Sequence, residues 1–251
     1  MELEDKAALI TGAGSGIGRA TALLFAARGA RISVVDSNAH TGAKTAELIM
    51  AEGGSALFTQ ADVSKGGPAC IMVDAAVEAW GRLDIVVNSA GIGVAGNVET
   101  LDEETWDRAM DVNLKSVFLS SKYAVPHMRK QGEGSILIIA SANAVRPYAN
   151  RDAYSASKGA LIALTKGMAL SFAKDQIRVN CLCPGTTDTP MLDDVINQLP
   201  ENERPERQSL VNRQPLGRMG TPEEIAEAAM YAVTARFMTG TILLIDGGMT
   251  L

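Results

Sequence analysis

Seven short apolar runs recur along the chain with helix-length stretches between them: AALIT (7–11), RISVVD (31–36), ALFTQAD (56–62), LDIVVNSA (83–90), SILIIAS (135–141), IRVNCLC (177–183) and TILLID (241–246). Strands that alternate with helices pair side by side through crossovers, which predicts a parallel α/β sheet of seven strands with helices on both faces. The fourth, fifth and seventh runs are almost continuously apolar, as burial on both faces requires. No Gly/Ser/Pro-rich linker and no repeat interrupts the alternation, so 1–251 is expected to form a single domain. One stretch breaks the rhythm. Between Pro184 and Gly220 the chain carries Pro190, Pro200, Pro205 and Pro215 among mixed charges. Long excursions at the carboxyl ends of parallel strands form binding loops, so 186–215 is expected to act as a lid.

The first crossover carries the clearest signal. TGAGSGIG (11–18) passes from a strand through glycines 12, 14, 16 and 18 into a helix. Residues without a Cβ let the chain turn tightly and let a pyrophosphate approach the N–H groups at the helix start. Asp36 closes the second run, where a carboxylate can accept hydrogen bonds from an adenosine ribose diol and repel a 2′-phosphate. Neither Ser15 nor Ser37 supplies a cation for such a phosphate. NAD is therefore expected rather than NADP. The competing reading has Asp36-Ser37-Asn38 capping the next helix.

DAYSASKGALIALTKGMAL (152–170) reads as one amphipathic helix that places Tyr154 and Lys158 four residues apart, on one face. A phenol ordinarily keeps its proton at neutral pH, and a nearby ammonium favours the ionised form. The pair thus suits proton transfer to and from a substrate oxygen, with Tyr154 as general base for oxidation and general acid for reduction.

Taken in order, these motifs resemble the short-chain dehydrogenase/reductase family over essentially the whole chain. TGAGSGIG is similar to the family's coenzyme loop, which implies Gly12, Ser15, Gly16, Ile17 and Gly18 as coenzyme contacts. Asp62 and Val63 resemble its adenine-contacting pair, and NSAG (88–91) its N-N-A-G, with Asn88, Ala90 and Gly91 at the coenzyme. Ser89 stands where the family has a second Asn, an exchange expected to loosen a hydrogen bond between strands. PGTTDTPM (184–191) is similar to P-G-x-x-x-T, which implies Pro184, Gly185, Thr187 and Thr189 beside the nicotinamide carboxamide. YSASK matches Y-x-x-x-K, and IDGG (245–248) resembles the C-terminal signature. The link YAVTARFMTG (231–240) is shorter than usual.

The resemblance implies a Rossmann-type doubly wound sheet, a catalytic set of Asn113, Ser141, Tyr154 and Lys158, and a homotetramer. Ser141 would hold the substrate oxygen, Lys158 would also hold the nicotinamide ribose, and Asn113 would position a water leading to solvent. The expected activity is NAD-dependent interconversion of a secondary alcohol and a ketone, with a small-molecule alcohol or ketone as substrate. Two rival readings are a coenzyme-sensing or scaffold protein without turnover, whose mark would be a broken Y-x-x-x-K or a missing Ser, and an isomerase using bound NAD.

The remaining features exclude other classes. A net charge of −6 disfavours nucleic acid and anionic membranes as partners. MELEDKAALITG lacks the flanks of a signal peptide, and no apolar run approaches the ~18–20 residues of a membrane span. With three cysteines, this reads as a cytoplasmic protein. No metal is expected: Cys181 and Cys183 alternate along a strand and are assigned to packing, and His40 and His127 lack partners at ligand spacing. The pocket is expected to be built from loop 142–152, from Ile92 to Ala95 and from the lid. Arg146 and Arg151 lie on the loop after Ser141, where an arginine can recognise a carboxylate or phosphate.

Overall fold

The computed structural model describes residues 2–251. The strands Ala7–Thr11 (β1), Arg31–Asp36 (β2), Ser55–Gln60 (β3), Ile85–Asn88 (β4), Gly134–Ile139 (β5), Ile177–Pro184 (β6) and Ile242–Ile245 (β7) form one sheet in the order β3-β2-β1-β4-β5-β6-β7. All six pairings are parallel. The expected Rossmann-type doubly wound sheet is therefore present. Each of the seven apolar runs contains a strand, and the runs at 56–62, 83–90, 135–141 and 241–246 lose their last residues to the loops that follow.

Side-chain alternation divides the core into two layers. Leu9, Val86, Ile136, Ile138, Val179, Cys181 and Cys183 point to one face. There they meet Gly66–Trp80 (α3), Ser116–Gln131 (α5) and Asp152–Phe172 (α6), reached after Ala39–Ala51 (α2) and Glu103–Met110 (α4) in chain order. Ala8, Ile10, Ile32, Val34, Val87, Leu137 and Leu182 point to the other face, against Gly16–Ala27 (α1) and α2. That face is completed by Pro222–Thr234 (α9), which follows Pro190–Asn197 (α7) and Arg207–Val211 (α8). Cys181 and Cys183 are free, buried thiols in the first layer, which accounts for their C-x-C spacing as strand packing. His40 is exposed near the start of α2 and His127 lies partly exposed on α5.

Chain order reverses between β1 and β4, whose carboxyl ends meet at Thr11 and Asn88. This switch point is where a doubly wound sheet opens a crevice. Segment 186–215 rises over the same end as α7, a 3₁₀ turn at Glu201–Glu203 and α8. It is tied down through Gln198, whose side chain donates to the Gly93 carbonyl (3.1 Å) and accepts from Ala95 N–H (3.3 Å). Gly93 permits this docking: a Cβ there would lie 2.0 Å from Val195 Cγ2. Among the described residues no helix is long and apolar enough to cross a membrane.

Candidate active site

A cavity of about 980 Å³ runs across the carboxyl ends of the strands. Of the residues expected to hold coenzyme, Gly12, Ser15, Gly16, Ile17, Gly18, Asp36, Asp62, Val63, Ala90, Gly91, Tyr154, Lys158, Pro184, Gly185, Thr187 and Thr189 line it. Of the expected catalytic residues, Ser141, Tyr154 and Lys158 line it too. Asn88 and Asn113 stand behind its wall.

The glycine loop forms a cradle. Gly12 has φ +64° and lies so close to the chain after β4 that a Cβ would meet Ala90 Cα at 2.8 Å; at Gly18 a Cβ would meet the Gly12 carbonyl oxygen at 2.2 Å. Helix α1 has Ser15 at its N-cap position, yet no side chain caps it. Its first N–H groups face a cavity lined by Ser15, Gly16, Ile17 and Gly18, as an anionic diphosphate requires. Thr11 Oγ1 accepts from the N–H groups of Ser89 and Ala90 (both 3.1 Å), fixing the loop after β4 to the loop after β1. The cross-strand link thus runs through backbone at Ser89, so the exchange of Asn for Ser leaves it intact.

Asp36 takes two backbone hydrogen bonds, Oδ2 from Gly14 N–H (2.8 Å) and Oδ1 from Asn38 N–H (2.9 Å), and still borders the cavity. The cap of α2 is Asn38, which accepts from His40 and Thr41 N–H. Arg19, on α1, bonds the Gly14 carbonyl and Thr45 Oγ1 and lies outside the cavity wall. At Asp62, hydrogen bonds from the Ser64 hydroxyl (2.6 Å) and N–H (3.0 Å) hold the carboxyl below its usual range, against a smaller opposing effect of burial.

Tyr154 and Lys158 are 8% and 4% exposed on the buried face of α6. Lys158 Nζ donates to the Ile139 carbonyl at the end of β5 (2.9 Å) and lies 5.8 Å from the Tyr154 ring centre. An ammonium has three donors, so this anchor leaves two for other partners. Ser141 Oγ accepts from Asn143 N–H (3.2 Å), a bond that leaves the hydroxyl proton free to be donated.

Asn113 sits in a π-helical turn, Asp111–Lys115, and is fully buried. Its amide clamps Ile92 at both ends (2.7 Å from N–H, 3.0 Å to carbonyl) and donates to Ser157 Oγ (3.1 Å). Gly91 lies against the same group, since a Cβ there would approach Asn113 Oδ1 to 3.2 Å and Lys158 Nζ to 3.4 Å. Asn88 Oδ1 accepts from Ser120 Oγ, while its Nδ2 is buried without a partner.

The substrate end differs from expectation in its arginines. Arg146 turns away, donating to the carbonyls of Met249 (2.6 Å) and Leu251 (3.2 Å). Arg151 lines the cavity with its guanidinium 4.8 Å from the Tyr154 ring centre. Three further lining residues lie in loop 142–152 and in the lid, the segments from which the pocket is expected to be built: Asn143, whose Oδ1 is buried without a partner, Tyr148, and Arg213, stacked 4.5 Å from the Tyr148 ring centre. Asn143 is two residues from Ser141 and could have been found on that ground. Arg213 carries no local signal. Among the described residues no group of three His, Cys, Asp or Glu side chains is disposed to hold a metal ion.

A family model described as Enoyl-(Acyl carrier protein) reductase matches residues 12–250. The chain belongs to the short-chain dehydrogenase/reductase family. Members of this family use nicotinamide coenzymes, and the chain is an oxidoreductase of this class acting on small molecules. An uncharacterized oxidoreductase of Thermotoga maritima is 44% identical over 252 residues, covering 100% of this chain and 99% of that one. Cyclohexanol dehydrogenase of an Acinetobacter species is 36% identical, covering 99% and 96%. The crystal structure of 3-ketoacyl-(acyl-carrier-protein) reductase from Brucella melitensis complexed with NADH superposes with a TM-score of 0.91 at 36% identity, covering 99% of this chain and 100% of that chain.

Proposed function

We propose that this short-chain dehydrogenase/reductase uses NAD to interconvert a secondary alcohol and a ketone, working in the cytoplasm as a single-domain homotetramer. The observation that carries the reading is one continuous cavity with Asp36 and the uncapped start of α1 on its wall together with Ser141, Tyr154 and Lys158. The exposed carboxylate edge of Asp36 suits a ribose diol and opposes a 2′-phosphate. Bound nicotinamide supplies the hydride acceptor or donor.

The chain's own residues do the rest. Ser141 donates its free hydroxyl proton to the substrate oxygen and so holds the reacting carbon in place. Tyr154 takes the alcohol proton as the C–H bond breaks, and returns it when a ketone is reduced. Lys158, fixed by the Ile139 carbonyl, favours the ionised phenol through its charge and offers its remaining donors to the nicotinamide ribose. Asn113 holds the Ile92 loop and the Ser157 turn, and its π-turn is the place for a water linking Lys158 to solvent. Segment 186–215 serves as the lid, through Met191, Leu192, Val195 and Ile196 on the cavity wall. Edge strand β7 with exposed Leu244, and exposed Leu170 and Phe237, suit subunit contacts.

The testing experiment follows absorbance at the NADH band over a panel of secondary alcohols and ketones, with native protein and Tyr154→Phe. Turnover in the native protein and its loss in the variant support the reading. Binding of NADH without turnover of any substrate would favour the coenzyme-sensing alternative.

A further inference from the structure

The substrate end of the cavity is more cationic than hydride and proton transfer require. Arg204 and Arg207 on segment 186–215 are engaged: Arg204 donates to the Leu199 and Asn197 carbonyls, and Arg207 pairs with Asp188 at 2.6 Å. Arg146 is engaged with the C-terminal carbonyls. Arg151 and Arg213 are different. Both line the cavity, and among the described residues neither has a carboxylate within ion-pair distance. The acid beside Arg151, Asp152, accepts from Val98 N–H instead, and Glu203, the lid acid on the cavity wall, is exposed.

Each guanidinium lies over an aromatic ring, Arg151 on Tyr154 and Arg213 on Tyr148. Stacking uses the face of the group and leaves its N–H donors, which lie in the plane, free for a bidentate acceptor. Burial lowers the proton affinity of Arg151; the neighbouring Tyr154 opposes that and the charge of Arg213 adds to it, so the two cations sense one another. Arg151 is also held in place: Asp152 N–H and Gly96 N–H bond across a bridge between Gly96 and Arg151, and the residue opens the helix that bears Tyr154. A pair of like charges kept at a cavity wall without a counter-ion is a site for an anion.

We propose that the substrate is a short oxo or hydroxy acid whose carboxylate is bound between Arg151 and Arg213. Because Arg151 stacks on the proton-transferring tyrosine, the carboxylate lies only a few carbon atoms from the reacting carbon. This deepens the proposed alcohol/ketone chemistry and rests on it for the reacting group.

The test compares 3-oxo and 4-oxo acids of four to six carbons with their methyl esters, in native protein, Arg213→Gln and Arg213→Lys. The acid should exceed its ester in kcat/KM by about 100-fold; Arg213→Gln should cut that ratio about 10-fold or more, chiefly through KM, and Arg213→Lys should restore part of it. A second arm needs no turnover. Tyr154→Phe loaded with NADH is titrated with the oxo acid, its ester and the matching oxo phosphonate, followed by quenching of NADH fluorescence, with and without Arg213→Gln. Binding of the acid that is weakened about 10-fold by Arg213→Gln supports the site even if no alcohol or ketone is ever turned over, an outcome that would refute the proposed chemistry alone. Equal handling of acid and ester, a ratio unmoved by Arg213→Gln, or tighter binding of the phosphonate would each overturn the proposal.

Discussion

Replacing Asp36 by Asn removes the charge at the coenzyme's adenosine end while sparing the brace to the glycine loop. The amide oxygen can still accept from Gly14 N–H, which Asp36 Oδ2 meets at 2.8 Å, so the glycine loop keeps its support. What disappears is the negative charge, together with the acceptor for Asn38 N–H, because the amide nitrogen that replaces Oδ1 can only donate. Two unit charges about 6 Å apart at an effective dielectric constant near 20 repel by about 3 kcal/mol. Asp36 is half-buried and solvent screens it, which leaves about 1–2 kcal/mol, or about 10-fold, against a 2′-phosphate. Weaker neutral bonds to the ribose diol take a further ~1 kcal/mol from NAD. Asp36→Asn should therefore lower the NAD/NADP ratio of kcat/KM by about 30- to 100-fold. Asp36→Ala should shift that ratio at least as far and also lower the Tm, because it strands the Gly14 and Asn38 N–H groups. The assay is initial rate against each coenzyme with one active substrate, alongside thermal unfolding without coenzyme. A native preference for NADP, or a ratio unchanged in Asp36→Asn with NAD still bound, would refute the assignment and leave Asp36 as a loop brace only.

Tyr154→Phe should reduce turnover by at least about 100-fold while the fold and NADH binding persist, measured by absorbance and fluorescence titration; near-native turnover would remove the tyrosine from the proton route. Gly93→Ala forces a methyl against Val195 and should raise KM for substrate with little change in coenzyme affinity, and the double variant Gly93→Ala/Val195→Ala should reverse the effect. Failure of that reversal would separate the loop from the lid. Asp84 supplies the pH prediction. Burial pushes its carboxyl up, but hydrogen bonds from Arg82 and Ala7 N–H and the charge of Lys6 outweigh this and leave it low. A folded value below the unfolded one means that stability is present above about pH 4 and is lost as pH falls through the folded value. Asp84→Asn should lower the Tm by several degrees at pH 7, and the gap to native should close on acidification below pH 4. A gap constant down to pH 3 would exclude the linkage.

The sheet was legible because two faces of helix make nearly every strand residue apolar, and the interruptions at Gly12–Gly18 and Asp36 fall where backbone must approach a ligand. Tyr154 and Lys158 were legible because a helix converts a spacing of four into a shared face. Asn113 was placed only by resemblance: a π-turn inside Glu103–Gln131 leaves no mark in composition, and its clamp on Ile92 spans 21 residues. Arg213 falls inside the expected lid, yet nothing local singles it out. Its position depends on how segment 186–215 docks through Gln198 and the glycine at 93, contacts separated by about a hundred residues.

Helix α6 concentrates these constraints. Arg151 is its N-cap, and Tyr154, Ser157 and Lys158, spaced by three and four, share one side of a 3.6-residue period. Ser157 Oγ accepts from Asn113 and donates to the Tyr154 carbonyl (2.8 Å), and Lys158 is held by β5. The phenol and the ammonium therefore keep a fixed order along the cavity, set by the rise of the helix, while the guanidinium is placed by the N-cap residue, whose backbone lies outside the helical region and is bridged to Gly96. Inserting one alanine between Arg151 and Tyr154 would break the register in which the Gly96 bridge holds the guanidinium against the phenol. Such a chain should still bind coenzyme and still carry an intact Tyr154–Lys158 face, yet lose its discrimination between an acid and its ester. Retained discrimination would show that the anion is read from elsewhere on the wall.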